Sequence, residues 1–251
     1  MPAHFLGLTG AATLGTRHLH LTGRIIDDLV ANNAVGVVHG PAGAGKTFAV
    51  DFHLERLRER DAQIAACSLA FPSEPTMLRV AAELVRALTG TTPPNSRSRF
   101  QLINTLIGLL AGPRRLVVID EAQRLNGACI EMIRHLHDHP QTSFALLYVG
   151  GDGCWEVLSR EPMLKSRVFR RLPFQPLARE QVPTLIRAYH PIYAQADEAL
   201  LLDVDDRSAH GTLRDWAVFT HTADQLCREA GRSALDSEAV FNAYMLLGGG
   251  A

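Results

Sequence analysis

Lysine is nearly missing from this 251-residue chain: of its 25 cationic residues only Lys46 and Lys165 are lysine, the others arginine. The skew fits an arginine-rich, alanine-rich genome better than phosphate recognition, and it leaves Lys46 conspicuous. Excess charge is missing too. With a formal net charge of −1, no overall positive field draws the protein to nucleic acid, so DNA binding has to come from a local patch or from an assembly. No stretch approaches ~18 uninterrupted apolar residues. The opening Met-Pro-Ala-His has no basic segment leading into an apolar one. Neither a spanning helix nor a secretory signal is therefore read, and the expectation is a soluble, cytoplasmic protein with no membrane partner. Cysteines are few and scattered. Cys67, Cys129, Cys154 and Cys227 form no CxxC pair and sit among apolar neighbours, which predicts reduced core residues rather than a disulfide frame or a zinc site. No internal repeat and no low-complexity segment is visible, which excludes solenoids and arrays. What is there, 47% apolar and 20% charged residues, is the composition of an ordinary globular chain of one or two domains.

Apolar runs and helical spacing order the chain. A helix is expected near Thr22 to Ala31, then a buried strand at Ala34 to Val38, then a helix from Phe48 to Leu57. A second strand is read at Gln63 to Ala70, and helices near Thr76 to Leu88 and Arg99 to Leu110, with a Pro-Pro-Asn-Ser turn between them. Leu116 to Glu121 is a third strand, Gly127 to His137 a helix, and Phe144 to Val149 a fourth strand. Short helical pieces follow at Cys154 to Ser159 and Pro162 to Val168. Leu172-Pro173-Phe174 reads as a fifth strand, placed at the edge because proline cannot donate to a central ladder. Strands alternating with helices predict a parallel sheet covered on both faces. Beyond about residue 195 only helices are expected, at Ala196 to Leu202, Thr212 to Glu229 and Asp236 to Leu246, before a flexible Gly248-Gly249-Gly250 end.

The chemistry starts at His39. Gly40-Pro41-Ala42-Gly43-Ala44-Gly45-Lys46-Thr47, followed by Phe48, matches the whole phosphate-binding (Walker A) loop, after a strand and opening a helix as such a loop requires. Glycines at 40, 43 and 45 let successive N–H groups face phosphate, Lys46 reaches the β and γ oxygens, and Thr47 is placed to ligate Mg²⁺. Asp120 and Glu121 end an apolar strand at the sheet edge where ligands of open α/β folds bind. In this Walker B position Asp120 would hold Mg²⁺ through water, and Glu121 would be the general base that a hydrolase needs. The fold expected is thus an α/β P-loop NTPase, a parallel five-stranded sheet flanked by helices. Residues 1–195 form the nucleotide-binding domain, and residues 196–251 a small C-terminal helical lid. The cofactors are ATP and Mg²⁺.

Arginines complete the pattern. Arg167, Arg170 and Arg171 lie between the fourth and fifth strands, where a ring or filament of such ATPases faces the neighbour's nucleotide; Arg167 is favoured as the residue that stabilises charge on the transferring phosphoryl group. Arg214 starts a lid helix, from which it would reach the γ-phosphate. His135, His137 and His139 have no third ligand of suitable spacing and read as a polar helix end. Trp155 and Trp216 read as core, and Asp205-Asp206 as a turn.

With these elements in order, residues 20 to 230 resemble an AAA+ ATPase. Within that class Val118-Ile119-Asp120-Glu121-Ala122-Gln123-Arg124-Leu125, Ile133 to Asp138, Leu146 to Gly150 and Ser166-Arg167-Val168 resemble the transposition ATPases MuB, TniB and TnsC. The resemblance implies a homo-oligomer, ring or helical filament, that assembles on double-stranded DNA with ATP and recruits and activates a DDE transposase. Three departures refine it. Tyr148-Val149-Gly150-Gly151-Asp152 offers no polar γ-phosphate sensor at the end of the fourth strand, from which slow turnover is expected. The segment before the phosphate loop is too short for a separate DNA-binding domain, so DNA contacts are expected from the ATPase core. Near-neutral charge predicts weak monomer binding, with affinity gained by many protomers on one duplex. Two alternatives stay open: a non-DNA switch resembling the secretion ATPase ExeA, and a helicase-loader type ATPase that prefers single strands.

Overall fold

The computed structural model describes residues 7–94 and 98–248. Among these the chain forms two compact units, one of residues 20–40 and 46–174, the other of residues 7–19, 41–45 and 175–248. The larger unit carries most of α1 (Arg17–Asn32), then β1 (Val35–His39), α2 (Lys46–Arg60), β2 (Ala65–Ala70), α3 (Met77–Thr89) and α4 (Arg99–Leu110). It continues with β3 (Arg115–Asp120), α5 (Gly127–Asp138), β4 (Ala145–Gly150), α6 (Cys154–Ser159), α7 (Pro162–Lys165) and β5 (Val168–Pro173). All five strands run parallel in the order β2-β3-β4-β1-β5.

Between their polar ends the central strands β1, β3 and β4 are continuously apolar, because the sheet is covered on both faces. Val37, Val117, Ile119, Leu146 and Tyr148 enter a layer shared with α3, α4 and α5. The alternate residues Val38, Leu116, Val118 and Leu147 are just as buried. They belong to the face of α1, where a Cβ on Gly36 would lie 2.6 Å from Leu29. Local signals set the helix starts: Thr76 and Asn126 cap α3 and α5 through their side chains, and Ser98 with Gln101 forms a capping box on α4. The edge strand β5 starts at Val168, earlier than the apolar pattern indicated, so α7 ends at Lys165 rather than continuing to Val168. Exposed residues alternate along β5, which hides an edge strand from a search for apolar runs. Pro173 sits at its last position, opposite His39.

The smaller unit is helical, with α8 (Val182–Tyr189), α9 (Glu198–Val204), α10 (Leu213–Glu229) and α11 (Ser237–Leu246) around fully buried Trp216, Tyr193 and Phe219. Besides residues 7–19 and 41–45, it takes in the chain from Gln175 onward, whereas the sequence division falls after residue 195. Helix α8 accounts for the difference, since Val182, Ile186 and Tyr189 bury into this helical core. Asp205-Asp206, read as a turn, opens a π-helical turn over Asp205–Ala209. The buried Asp205 carboxylate accepts from the Gly211 N–H at 2.7 Å and from Trp216 Nε1 at 3.0 Å. Of the expected glycine end, Gly249 and Gly250 lie outside the described residues, as do Asn95 and Ser96 of the turn before α4. Among the described residues no helix is long and apolar enough to cross a membrane, and the four cysteines are free thiols.

Candidate functional site

Strands β1 and β3 flank β4 and end together at the carboxyl edge of the sheet, the edge where parallel α/β folds place ligands. At the end of β1, Gly40 has φ +142°, and a Cβ there would lie 2.4 Å from the Phe174 carbonyl oxygen, so only glycine fits. Lys46 opens α2 and is buried, with its ammonium donating to the Gly40 carbonyl at 2.8 Å. Thr47, next in the helix, donates its hydroxyl to Asp120 Oδ2 at 3.0 Å. This brings one hydroxyl and one carboxylate together, the hard-oxygen donors that Mg²⁺ takes alongside waters and phosphate oxygens. Among the described residues no group of three or more His, Cys, Asp or Glu forms an all-protein metal cage, and Mg²⁺ bound with a nucleotide needs none. Phe48 stacks on Phe52, ring centroids 6.4 Å apart, on the half-buried side of α2.

Burial raises the Asp120 carboxyl above the ordinary 3.8; hydrogen bonds from the Glu121 N–H and Thr47 pull it down, while the Glu121 charge pushes it further up. Asp51, one turn beyond Thr47 on α2, is raised as well, first by burial and then by the Asp120 and Glu55 charges. A cation at this place would relieve both. The sequence reading did not single out Asp51; its helical spacing from Thr47 was the available signal.

Glu121 stands in the left-handed region, φ 56° and ψ 36°, which costs a non-glycine residue about 1–3 kcal/mol and recurs at functional sites. Its Oε2 accepts from Gln123 Nε2 at 2.8 Å and from Arg124 Nε at 3.1 Å, and Arg124 also donates to the Pro72 carbonyl. In the sequence, Gln123 and Arg124 carry only a resemblance and no role of their own. Their bonds to Glu121 became visible once the 3-10 turn Ala122–Arg124 folded them back.

The loop from Pro41 to Gly45 belongs with the helical unit. Gly43 has φ +77°, and a Cβ there would come within 2.5 Å of Thr212 and 3.0 Å of Arg214. The Gly43 carbonyl accepts from the Arg214 N–H at 3.1 Å, so the first turn of α10 is seated on the glycine loop. Pro41, Ala42, Ala44 and Gly45 complete that loop, with the Ala44 N–H turned towards the Pro41 carbonyl at 3.5 Å.

Of the three arginines expected ahead of the fifth strand only Arg167 lies between α7 and β5; Arg170 and Arg171 fall within β5, which starts at Val168, and each of the three is engaged. Arg167 Nε donates to Asp138 at 3.0 Å, Arg170 Nε to Asp28 at 2.8 Å, and Arg171 lies 4.5 Å over the Trp155 ring. Burial alone would raise the Asp138 carboxyl, but hydrogen bonds from Arg167 and Arg134 outweigh it and hold it below the ordinary range. Trp155 is half-buried and also stacks with His39, ring centroids 6.3 Å apart, and burial with the Arg171 charge lowers the His39 pKa. Of the histidine triplet, His137 is drawn inward, 3.0 Å from the Asn33 carbonyl, and burial lowers its pKa; His135 and His139 meet edge to face.

Residues 30–158 match the model of the family described as "AAA domain". No curated protein matches the sequence. Among solved structures the chain is similar to ORC2 of Aeropyrum pernix in ADPNP-ADP complexes, at 17% identity and TM-score 0.68 over 93% of this chain and 68% of that one. It is similar to the ORC1 protein of the same organism in complex with DNA, at 18% identity and TM-score 0.71 over 94% and 66%. Cdc6p of Pyrobaculum aerophilum is a third, at 17% identity and TM-score 0.74 over 94% and 68%. The architecture is that of the P-loop AAA+ ATPases, a five-stranded parallel sheet flanked by helices, and such a fold implies nucleotide binding.

Proposed function

The chain belongs to the AAA domain family, and from that premise we propose that it is a Mg²⁺-dependent ATPase switch that assembles on double-stranded DNA and recruits a DDE transposase. The observation that carries the ATPase reading is the meeting of Thr47 with Asp120 beside buried Lys46 and the constrained Glu121. In this reading the N–H groups of the 40–45 loop and Lys46 hold the β- and γ-phosphates, and Thr47 and Asp120 hold Mg²⁺. When bound there, Mg²⁺ would supply positive charge to offset that of the phosphate oxygens. Glu121 takes a proton from the attacking water as its oxygen bonds to the γ-phosphorus; the bond to ADP breaks and its electrons leave on the β-phosphate oxygen. Arg167 of a neighbouring protomer supplies positive charge to that transition state, exchanging its Asp138 partner for the phosphoryl group. Arg214, tied by its backbone to Gly43, reads the nucleotide state into the helical unit. The structure in complex with DNA among the similar folds supports the DNA part. The transposase rests on the resemblance of the 118–125 and 166–168 segments to MuB, TniB and TnsC.

The deciding experiment is anisotropy of a labelled duplex of about 50 base pairs, titrated at fixed salt, with ATP, ADP or no nucleotide and with single-stranded competitor. Cooperative binding with ATP alone is expected. Binding in no state, with ATP bound, overturns the DNA reading in favour of a protein-directed switch, and preference for the single strand identifies a loader.

A further inference from the structure

The strand between the two carriers of the charged groups ends in glycine. On one side of β4, Gly150 pairs with His39, the residue before Gly40; on the other, Tyr148 pairs with Ile119, the residue before Asp120. A polar side chain at this strand end would stand beside the phosphates and the base, and Gly150-Gly151 provide none. Neither glycine has a positive φ, so backbone freedom does not explain them. Space does: a Cβ on Gly150 would lie 2.4 Å from Cys154 Sγ and 2.6 Å from Gln123 Oε1, and one on Gly151 would lie 3.3 Å from Gln123 Nε2.

Cys154 takes part of the room beside Gly150, and the Gln123 amide fills the side towards Gly151 in a fixed orientation. The Gly151 N–H can only donate, so it takes Oε1, at 2.9 Å, and the NH₂ end must then face Glu121 Oε2, at 2.8 Å. Both donors to Glu121, Gln123 and Arg124, use Oε2, which leaves the lone pairs of Oε1 for a proton from water. Arg124 contributes less to the aim, because its ion pair with Glu121 is close to half exposed and such pairs are weak.

We infer that Gln123 is a positioning residue for hydrolysis, one that stands in for the polar side chain β4 lacks and couples Glu121 to the end of that strand. This rests on the reading of Glu121 as the base. The test measures phosphate release by the full chain with ATP, Mg²⁺ and duplex DNA across pH, for wild type, Gln123→Ala, Gln123→Glu and Glu121→Gln, together with binding of a fluorescent ATP analogue.

Gln123→Ala is expected to lower kcat about tenfold or more while analogue affinity stays within about twofold of wild type. Gln123→Glu keeps an acceptor for Gly151 but sets a second carboxylate against Glu121. Its acid limb of kcat against pH is expected to move up by roughly one unit, a shift that a purely structural role would not produce. Should the alanine variant lose its fold, the glutamate variant still decides through that limb. Wild-type turnover in Gln123→Ala, or an unmoved limb in Gln123→Glu, overturns the inference while an inactive Glu121→Gln keeps the base reading. Wild-type turnover in Glu121→Gln removes the base reading and this inference with it.

Discussion

Asp120 accepts from both the Thr47 hydroxyl and the Glu121 N–H, yet its carboxyl stays above the ordinary value because burial outweighs both bonds. A raised carboxyl means that the folded chain holds a proton the unfolded chain has already lost. Stability therefore falls as pH rises through that window, and the cost is fully present once Asp120 is ionised. Asp120→Asn removes this dependence: without metal its Tm is expected to exceed the wild-type Tm at neutral pH, and the gap to close as pH falls through the raised pKa. Thermal melts in a pH series check this. Asp138 has the opposite sign, since its carboxyl is held low; its contribution is present above the ordinary carboxylate range and lost as pH falls through the depressed value. Glu121→Gln is expected to keep ATP bound and to lower phosphate release by at least about 100-fold, whereas Lys46→Ala loses nucleotide binding itself.

At the scale of elements, the start of α10 is set by two anchors within the helical unit, the Asp205 carboxylate and the Gly43 carbonyl. Asp205→Ala leaves the Gly211 N–H and the indole N–H of Trp216 without their buried acceptor, at a cost of about 3 kcal/mol, seen as a lower urea midpoint. Gly43→Ala strains a positive φ and crowds Thr212, and is expected to weaken nucleotide binding along with stability, measurable by calorimetry and melting. How much of this was legible differs by element. Strands β1, β3 and β4 and helix α4 stand out because both-face burial and capping leave marks in local sequence. The start of β5 and the π-helical turn leave none, because an edge strand alternates exposed residues and the turn depends on a buried carboxylate reaching Trp216.

For the whole molecule, the proposed assembly and the proposed role of Arg167 in a neighbour's site share one test. In the proposed reading, Arg167→Ala protomers keep their own Lys46, Asp120 and Glu121 but would lend no arginine, and Glu121→Gln protomers would lack a base but lend one. Each alone is expected to be nearly inactive, and a mixture to recover part of the wild-type turnover on duplex DNA, because some interfaces pair an intact site with an intact arginine. A mixture no more active than its components would remove Arg167 from the neighbour's site.

The sequence alone determined the strand-loop-helix order, the place of Lys46, Thr47 and Asp120 along it, and the central strands β1, β3 and β4, because phosphate-loop geometry and two-sided burial impose residue types on neighbouring positions. The tertiary structure decided what joins residues distant along the chain. It bonded Gln123 to both Glu121 and Gly151, put Arg167 on Asp138 and seated Arg214 against Gly43. It also divided the chain at Gln175. Such pairings follow from which strand lies beside which and from the space left by glycines at a strand end, and no local pattern encodes that neighbourhood.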